Sequence, residues 1–231
     1  MAEDTVTIVT STEAWKAAHP GALIGVLKVS HVDNRSAAPE LEARKRAAEK
    51  KLRERFAGSA RAALVALPVM RDYVRYYRKF DKTYHVLQQL ESVALKGKSL
   101  PAVSPLVDAN FAAELETLVL TAGHDADKLE APLCIDVSRE SDSLVQMNGS
   151  PRRLPAGDMV MRDAKGVACS ILYGQDNRSP ISASTSSALY VAYAPAGVGE
   201  ASVRAQLEGI LANVRDFAPS CGLEELAILS A

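Results

Sequence analysis

Near Leu133 the spacing of apolar residues changes, and the change limits the folds open to this chain. Ahead of it, apolar positions recur as an amphipathic helix requires. In residues 39–56, Leu41, Ala48, Leu52 and Phe56 share one helical face and Lys/Arg fill much of the rest. Gly58 interrupts this helix, more helix follows to about Phe80, and another runs from about Thr83 to Gly97. Pro105 suits the first turn of a further helix, which carries Leu106, Phe111, Leu115, Leu118 and Val119 and is expected to stop at Gly123. Behind Leu133, short β-like runs at residues 133–137, 143–146, 158–162, 167–173 and 181–193 are separated by the turn-forming stretches NGSP, PAGD, DAKG and GQDNRSP. Strands are also expected over residues 5–10 and 21–32, with a short helix capped by Ser11 between them. A last helix over about 199–217 precedes the terminal apolar run LAILS. Helices followed by mostly antiparallel strands make an α+β fold. It is read here as one unit over 1–231, with N-terminal strands and a basic helical segment over 1–98 and the core and C-terminal helix over 99–231.

The formal net charge of −1 is unevenly spread. Between Arg35 and Lys98, 16 Lys/Arg stand against 7 Asp/Glu, a balance of +9, whereas residues 1–34 carry −2 and residues 99–231 carry −8. So basic a segment is the footprint of a polyanion partner, because phosphate contacts release condensed counterions. A solvated helix pair facing its own acidic half uses the same residues. No run of about 18 apolar residues is present, so no membrane-spanning helix is expected. The stretch MAEDTVTIVT is acidic and lacks the basic-then-apolar order of a secretion signal. Cys134, Cys169 and Cys221 are odd in number and include no CxxC pair. These features point to a soluble, cytoplasmic protein without a disulfide framework.

Three stretches invite chemistry. In RDYVRYYRKF, Arg71, Arg75 and Arg78 fall on one helical stripe and Tyr73, Tyr77 and Phe80 on another. That pairing can hold phosphates and stack bases, or it can be an amphipathic helix with its aromatics in the core. In GQDNRSPISASTSSALY, Gln175, Asp176, Asn177 and Arg178 lead into hydroxyls through Ser187, which suits a polar ligand at a strand end or a solvated hairpin. LTAGHDADKL sets His124 between Gly123 and Asp125. A metal needs three or more converging ligands and no HExxH is present, so none is expected. Gly123 as a helix C-cap, with Asp125 capping the turn DADK, accounts for most of the pattern. There is no GxSxG elbow, P-loop or GxGxxG.

Taken together, LVDANFAAEL…TAGHDADKL, LPAGDMVMRDAKGVACSILYGQD and ISASTSSALYVAY, with the lead-in KGKSLP, resemble in order and spacing the B3/B4 domain over about residues 96–194. That is the editing domain of the bacterial phenylalanyl-tRNA synthetase β subunit. The resemblance implies an α+β fold with a ligand pocket between sheet and helices. No synthetase catalytic domain fits in the remaining residues, so a freestanding member is expected, of the kind that includes trans-editing deacylases. The resemblance makes His124 and Asp125 the catalytic candidates. It makes Asp108, Asn110, Asp127, Tyr173, Gly174, Gln175, Asp176 and Thr185 the substrate-binding candidates. The basic segment adds Arg71, Arg75, Arg78, Lys79, Lys96 and Lys98 as candidate tRNA contacts. In the synthetase domain the histidine lies within HAFD and a glutamate on the final strand reads the tyrosine hydroxyl. Here His124 adjoins Asp125, and Val191 stands at the glutamate's position.

The implied function is hydrolysis, without a cofactor or metal, of the ester of a mischarged tRNA. Val191 argues against tyrosine, and the carboxylates around the implied pocket suit a guanidine or oxyguanidine. Canavanyl-tRNA(Arg) is therefore the first candidate. Such an ester is activated, so a held water and oxyanion donors suffice, with His124 or the tRNA's ribose hydroxyl taking the proton. The expected partner is mischarged tRNA, with tRNA(Arg) favoured, and neither DNA nor a membrane; a monomer is expected. One rival is a non-catalytic tRNA- or synthetase-binding module with an amino-acid pocket, another a small-molecule amino-acid binder. The basic segment favours the deacylase and the binding module.

Overall fold

The computed structural model describes residues 7–231. A first strand, β1 (Val9–Ser11), is followed by α1 (Glu13–Ala18) and β2 (Leu23–Ser30). Five helices come next: α2 (Pro39–Arg55), α3 (Arg61–Val65), α4 (Pro68–Arg78), α5 (His85–Ala94) and α6 (Pro105–Thr117). Then come β3 (Thr121–Asp125), β4 (Leu133–Val137), β5 (Ser143–Val145), β6 (Pro151–Arg153), β7 (Met159–Asp163), β8 (Gly166–Ser170), β9 (Gly174–Gln175) and β10 (Ala188–Ala194). Helix α7 (Glu200–Phe217) and strand β11 (Gly222–Ser230) close the chain. The strands form a sheet of order β1-β4-β7-β8-β9, a second of order β11-β2-β10-β3, and a separate β5–β6 hairpin. Only β1 with β4 is parallel among the described pairs, so the α+β expectation with a mostly antiparallel sheet holds. No helix among the described residues is long and apolar enough to cross a membrane.

At its centre the four-stranded sheet is covered on both faces, which is why β10 is buried at every residue and reads as a continuous apolar run, whereas the edge strand β11 stays partly exposed. Helices α6 and α7 lie together against this sheet. The close approach of α7 needs Gly25, where a Cβ would stand 2.6 Å from Val203 Cγ1 and 3.1 Å from Leu207 Cδ1.

Helix α4 joins the two sheets through tyrosine hydroxyls. Tyr73 donates to Tyr193 O (2.6 Å) and accepts from Leu120 N (3.0 Å), both at the β3–β10 end of one sheet. Tyr76 donates to Asp158 Oδ1 (2.8 Å) and accepts from Met159 N (2.8 Å), and Tyr77 donates to Ile171 O, all on the other sheet's side. Tyr73 also stacks on Tyr84, with centroids 4.4 Å apart and planes 7° from parallel. The aromatic stripe of this helix is thus core.

Several boundaries differ from the expectation for physical reasons. Helix α6 stops at Thr117 because Leu118 turns left-handed (φ 63°), and residues 121–125 form a strand. Gly123 is therefore a strand residue, not a C-cap; a Cβ there would meet Ile181 Cδ1 at 2.9 Å and Tyr190 Cε1 at 3.2 Å. The expected strand over 181–193 shortens to β10, because the Thr185 hydroxyl accepts from Ser182 N (2.9 Å) and folds that stretch into a turn. Thr12, not Ser11, caps α1 by accepting from Trp15 N (3.1 Å). Of the strand expected over 5–10, residues 5 and 6 lie outside the described residues and β1 begins at Val9.

Tyr73→Phe removes a buried hydroxyl and leaves Leu120 N and Tyr193 O without that partner. The expected loss is about 1–3 kcal/mol, read as a lower urea midpoint at unchanged m-value.

Candidate functional site

A cavity of about 370 Å³ lies where β3, the edge strand of its sheet, meets α6 and the β8–β9 end of the other sheet. Thr121, Ala122 and Gly123 form one wall, Val107, Asn110 and Phe111 of α6 a second, and Cys169, Ser170, Ile171, Gly174 and Gln175 a third. Tyr190 and Tyr193 close the back, and His85 and Met147 also line it. Among the described residues no Asp, Glu, Lys or Arg lines it. Its polar groups are neutral, and among the described residues the buried Tyr193 hydroxyl has no nitrogen or oxygen partner and stands beside the Cys169 thiol.

Of the residues expected at the site, Asn110, Gly174 and Gln175 are brought to this cavity. Asn110 is committed on both ends of its amide: Nδ2 donates to Thr121 O (2.9 Å) and Oδ1 accepts from Gln206 Nε2 (3.0 Å). Tyr173 stands beside Gly174, half-buried, outside the lining.

The other expected residues lie elsewhere. His124 is fully buried beneath a bridge to Pro180, with Nδ1 2.8 Å from Ser179 Oγ. Burial pushes its pKa down to about 4, and it does not line the cavity. Asp125 accepts from the Thr185 hydroxyl (2.7 Å) and pairs with Lys128 (3.1 Å), so Asp125 and Thr185 tie down the two turns. It also caps the turn after β3 by accepting from Asp127 N (3.3 Å), as the sequence suggested, and Asp127 itself is exposed. Asp108 pairs with the buried Lys45 (3.1 Å), and Asp176 is paired with Arg178. Three of the carboxylates that looked like a cation-binding mouth, Asp108, Asp125 and Asp176, are thus spent on partners of their own. Among the described residues no three His, Cys, Asp or Glu side chains converge closely enough to hold a metal ion.

Helix α2 also spends much of its charge internally. Lys45 and Arg46 pair with Glu42, and Arg46 and Arg53 pair with the buried Glu49. On α4 the arginine stripe divides. Arg71 and Arg78 flank an open groove, whereas Arg75, 3.0 Å from Asp72 and donating to Ala196 O, lies with Lys79 in a different cleft. Lys96 pairs with Glu91 (3.1 Å), and Lys98 is exposed.

Two groups at the cavity had no marker in the sequence. His85 opens α5, with Nδ1 3.2 Å from the Tyr77 hydroxyl. Tyr77 spends its own proton on Ile171 O, so it accepts from His85 Nδ1–H, which leaves the lone pair on Nε2. Much of the residue faces solvent, yet the Tyr77 and Tyr84 rings crowd the imidazole, and this desolvation holds its pKa below the usual imidazole value. Ser170, on the cavity wall, donates to the buried Asp158, whose pKa burial pushes up to about 7. Nothing in local spacing links His85, Ser170 and Asp158; the packing of α4 and the start of α5 against the five-stranded sheet does.

Residues 69–208 match the family model of the B3/4 domain, from the start of α4 into α7. No curated protein matches the chain. Among solved structures, it is similar to an N-terminal fragment of the phenylalanyl-tRNA synthetase β-subunit from Pyrococcus horikoshii, at 8% identity and TM-score 0.47. That match covers 95% of this chain and 49% of the other, so the chain spans about half the length of the fragment.

The buried His124 generates a pH test. Its folded pKa of about 4 lies below the unfolded value, so as pH falls the unfolded chain takes up the proton first. The stability of the neutral ring is intact above about pH 6.5 and is lost as pH drops toward 4. Relative to His124→Gln, the protein should lose up to roughly 3 kcal/mol over that interval in urea titrations. A constant difference between the two would mean that His124 is already solvated.

Proposed function

The chain belongs to the B3/4 domain family, and on that premise we propose that it is an aminoacyl-tRNA deacylase acting in trans on a mischarged tRNA with a neutral aminoacyl side chain. The observation that carries this reading is the uncharged cavity of about 370 Å³ with an imidazole among its lining residues. The side chain of the ester enters between α6 and β3. The Tyr193 hydroxyl and the Gln175 amide are available to a neutral polar group on it. A guanidinium would lose its hydration there and find no carboxylate on the wall, a penalty of several kcal/mol. The geometry therefore favours a neutral amino acid over the canavanine suggested by the sequence.

The chemistry asks for a positioned water and a base. His85 fits the second role, because its depressed pKa keeps Nε2 unprotonated at neutral pH. His124 serves the fold, holding Ser179 and the loop before β10 against β3. A binding module without chemistry remains the rival, and the assay that identifies the substrate also separates the two.

In a panel of mischarged tRNAs, esters of neutral amino acids should be hydrolysed while arginyl- and canavanyl-tRNA(Arg) persist. Hydrolysis of the canavanyl ester alone would overturn the reading of the cavity, and no hydrolysis at all would favour the binding module. His85→Ala should lower kcat by about 10²–10⁴ and remove an acidic limb in the rate profile with its midpoint below pH 6.5. A loss smaller than tenfold, with RNA affinity kept, would place the proton transfer on the ribose hydroxyl.

A further inference from the structure

The half-buried ring of Tyr173 carries two cations. Lys82 Nζ stands 5.5 Å from its centroid and Arg152 Cζ 5.2 Å. An aromatic face holds a cation in place without cancelling its charge, unlike a carboxylate. No ion pair within 4.0 Å engages Lys82 or Arg152 among the described residues, and the side-chain oxygen that Arg152 does reach, Gln146 Oε1 (3.3 Å), is neutral. Both charges therefore remain free for an anion.

Their position gives that charge a direction. Tyr173 precedes Gly174 on the cavity wall, and Met147, next to Gln146 on the hairpin that carries Arg152, also lines the cavity. Lys82 is shared with the open groove of α3 and α4, about 680 Å³, where it joins Arg61, Arg71 and Arg78 over an apolar floor that includes Val74 and Leu87. Of these, Arg61 approaches Glu91 at 3.5 Å and Arg71 approaches Asp72 at 4.0 Å, while Arg78 has no ion pair among the described residues. A continuous run of positive charge thus leads from the groove to the cavity mouth. Its Arg61, Arg71, Arg78 and Lys82 lie inside the segment whose balance is +9, and Arg152 is brought to it from the acidic half.

We propose that Lys82 and Arg152, oriented by Tyr173, clamp the backbone phosphates of a single-stranded RNA 3′ end entering the cavity, and that the Arg61–Arg71–Arg78 groove holds the strand or stem behind it. The proposal rests on the reading of the cavity as the ester site, and it adds the path of the nucleic acid and the groups that fix it. The apolar floor suits ribose and base faces, and the cations suit phosphodiesters at intervals.

The test uses the full chain and a labelled RNA hairpin with a short single-stranded 3′ overhang and no ester, followed by anisotropy at several salt concentrations. A blunt hairpin is the control. The overhang should bind more tightly than the blunt form. Lys82→Ala with Arg152→Ala should weaken overhang binding by roughly tenfold or more and flatten the salt slope by about 1.4, from about 0.7 per lost contact on a single strand. Tyr173→Phe, which keeps the ring, should bind like the parent, and Tyr173→Leu should lose part of the affinity. Equal affinity for blunt and overhang forms, or an unchanged slope in the double variant, overturns the clamp. Because this ligand has no ester, failure of the tRNA panel with overhang binding intact would remove the reaction and leave the clamp standing. Hydrolysis with overhang binding untouched by the double variant would remove the clamp alone.

Discussion

The seam between the two sheets has to be closed without a shared strand, and tyrosine hydroxyls from one helix close it. Where sheets meet end to end, backbone groups fall outside the ladders, and a buried N–H or C=O left unpaired costs about as much as a lost hydrogen bond. Tyr73 satisfies Leu120 N and Tyr193 O on one side, and Tyr76 and Tyr77 satisfy Met159 N and Ile171 O on the other. Helix α4 is therefore held at a fixed angle, and α5 follows through the stack of Tyr84 on Tyr73. The cavity walls depend on the same contacts, since Leu120, Ile171, Tyr193 and His85 all line it.

That arrangement sets the electrostatics of the site. The protein buries several ionisable groups, but it pairs them away from the cavity: Asp108 with Lys45, Asp176 and Asp163 with Arg178, and Glu49 with Arg46 and Arg53. Each pair avoids the cost of an isolated buried charge. What remains at the cavity is neutral, and what remains at its mouth is positive. A neutral chamber beside a basic track suits a ligand with an uncharged end and a polyanionic body, which is the shape of an aminoacylated RNA.

Much of the architecture was legible as periodicity. The helices of the first half, the α+β order and the run at residues 133–137 appear in the sequence nearly as they fold, because amphipathic spacing and turn residues act locally. The boundary errors share one cause. Leu118, Val119 and Leu120 continue the apolar character of α6, so nothing in the pattern marks the left-handed turn at Leu118 or the strand beyond it. Likewise, the hydroxyl-rich 182–187 reads as a strand face until Thr185 is seen closing a turn on Ser182 and bonding Asp125.

The site was legible only in part, and the division has a physical basis. By itself the sequence determined the fold class, the uneven charge, and the segments from which a pocket would be built, including Asn110, Gly174 and Gln175. The fold class and the uneven charge follow from residue type and local spacing, and the pocket segments from the resemblance to the B3/B4 domain. Only the tertiary structure decided that His124 is enclosed, that Asp108, Asp125 and Asp176 are already paired, and that His85, Ser170 and Tyr173 gather around one opening. Burial and pairing are relations between residues far apart in the chain: Asp108 meets Lys45, Tyr173 meets Lys82, and His85 meets Tyr77 across a helix boundary. A charged side chain looks the same in sequence whether it faces a ligand or a partner, and the packing of distant elements is what separates the two.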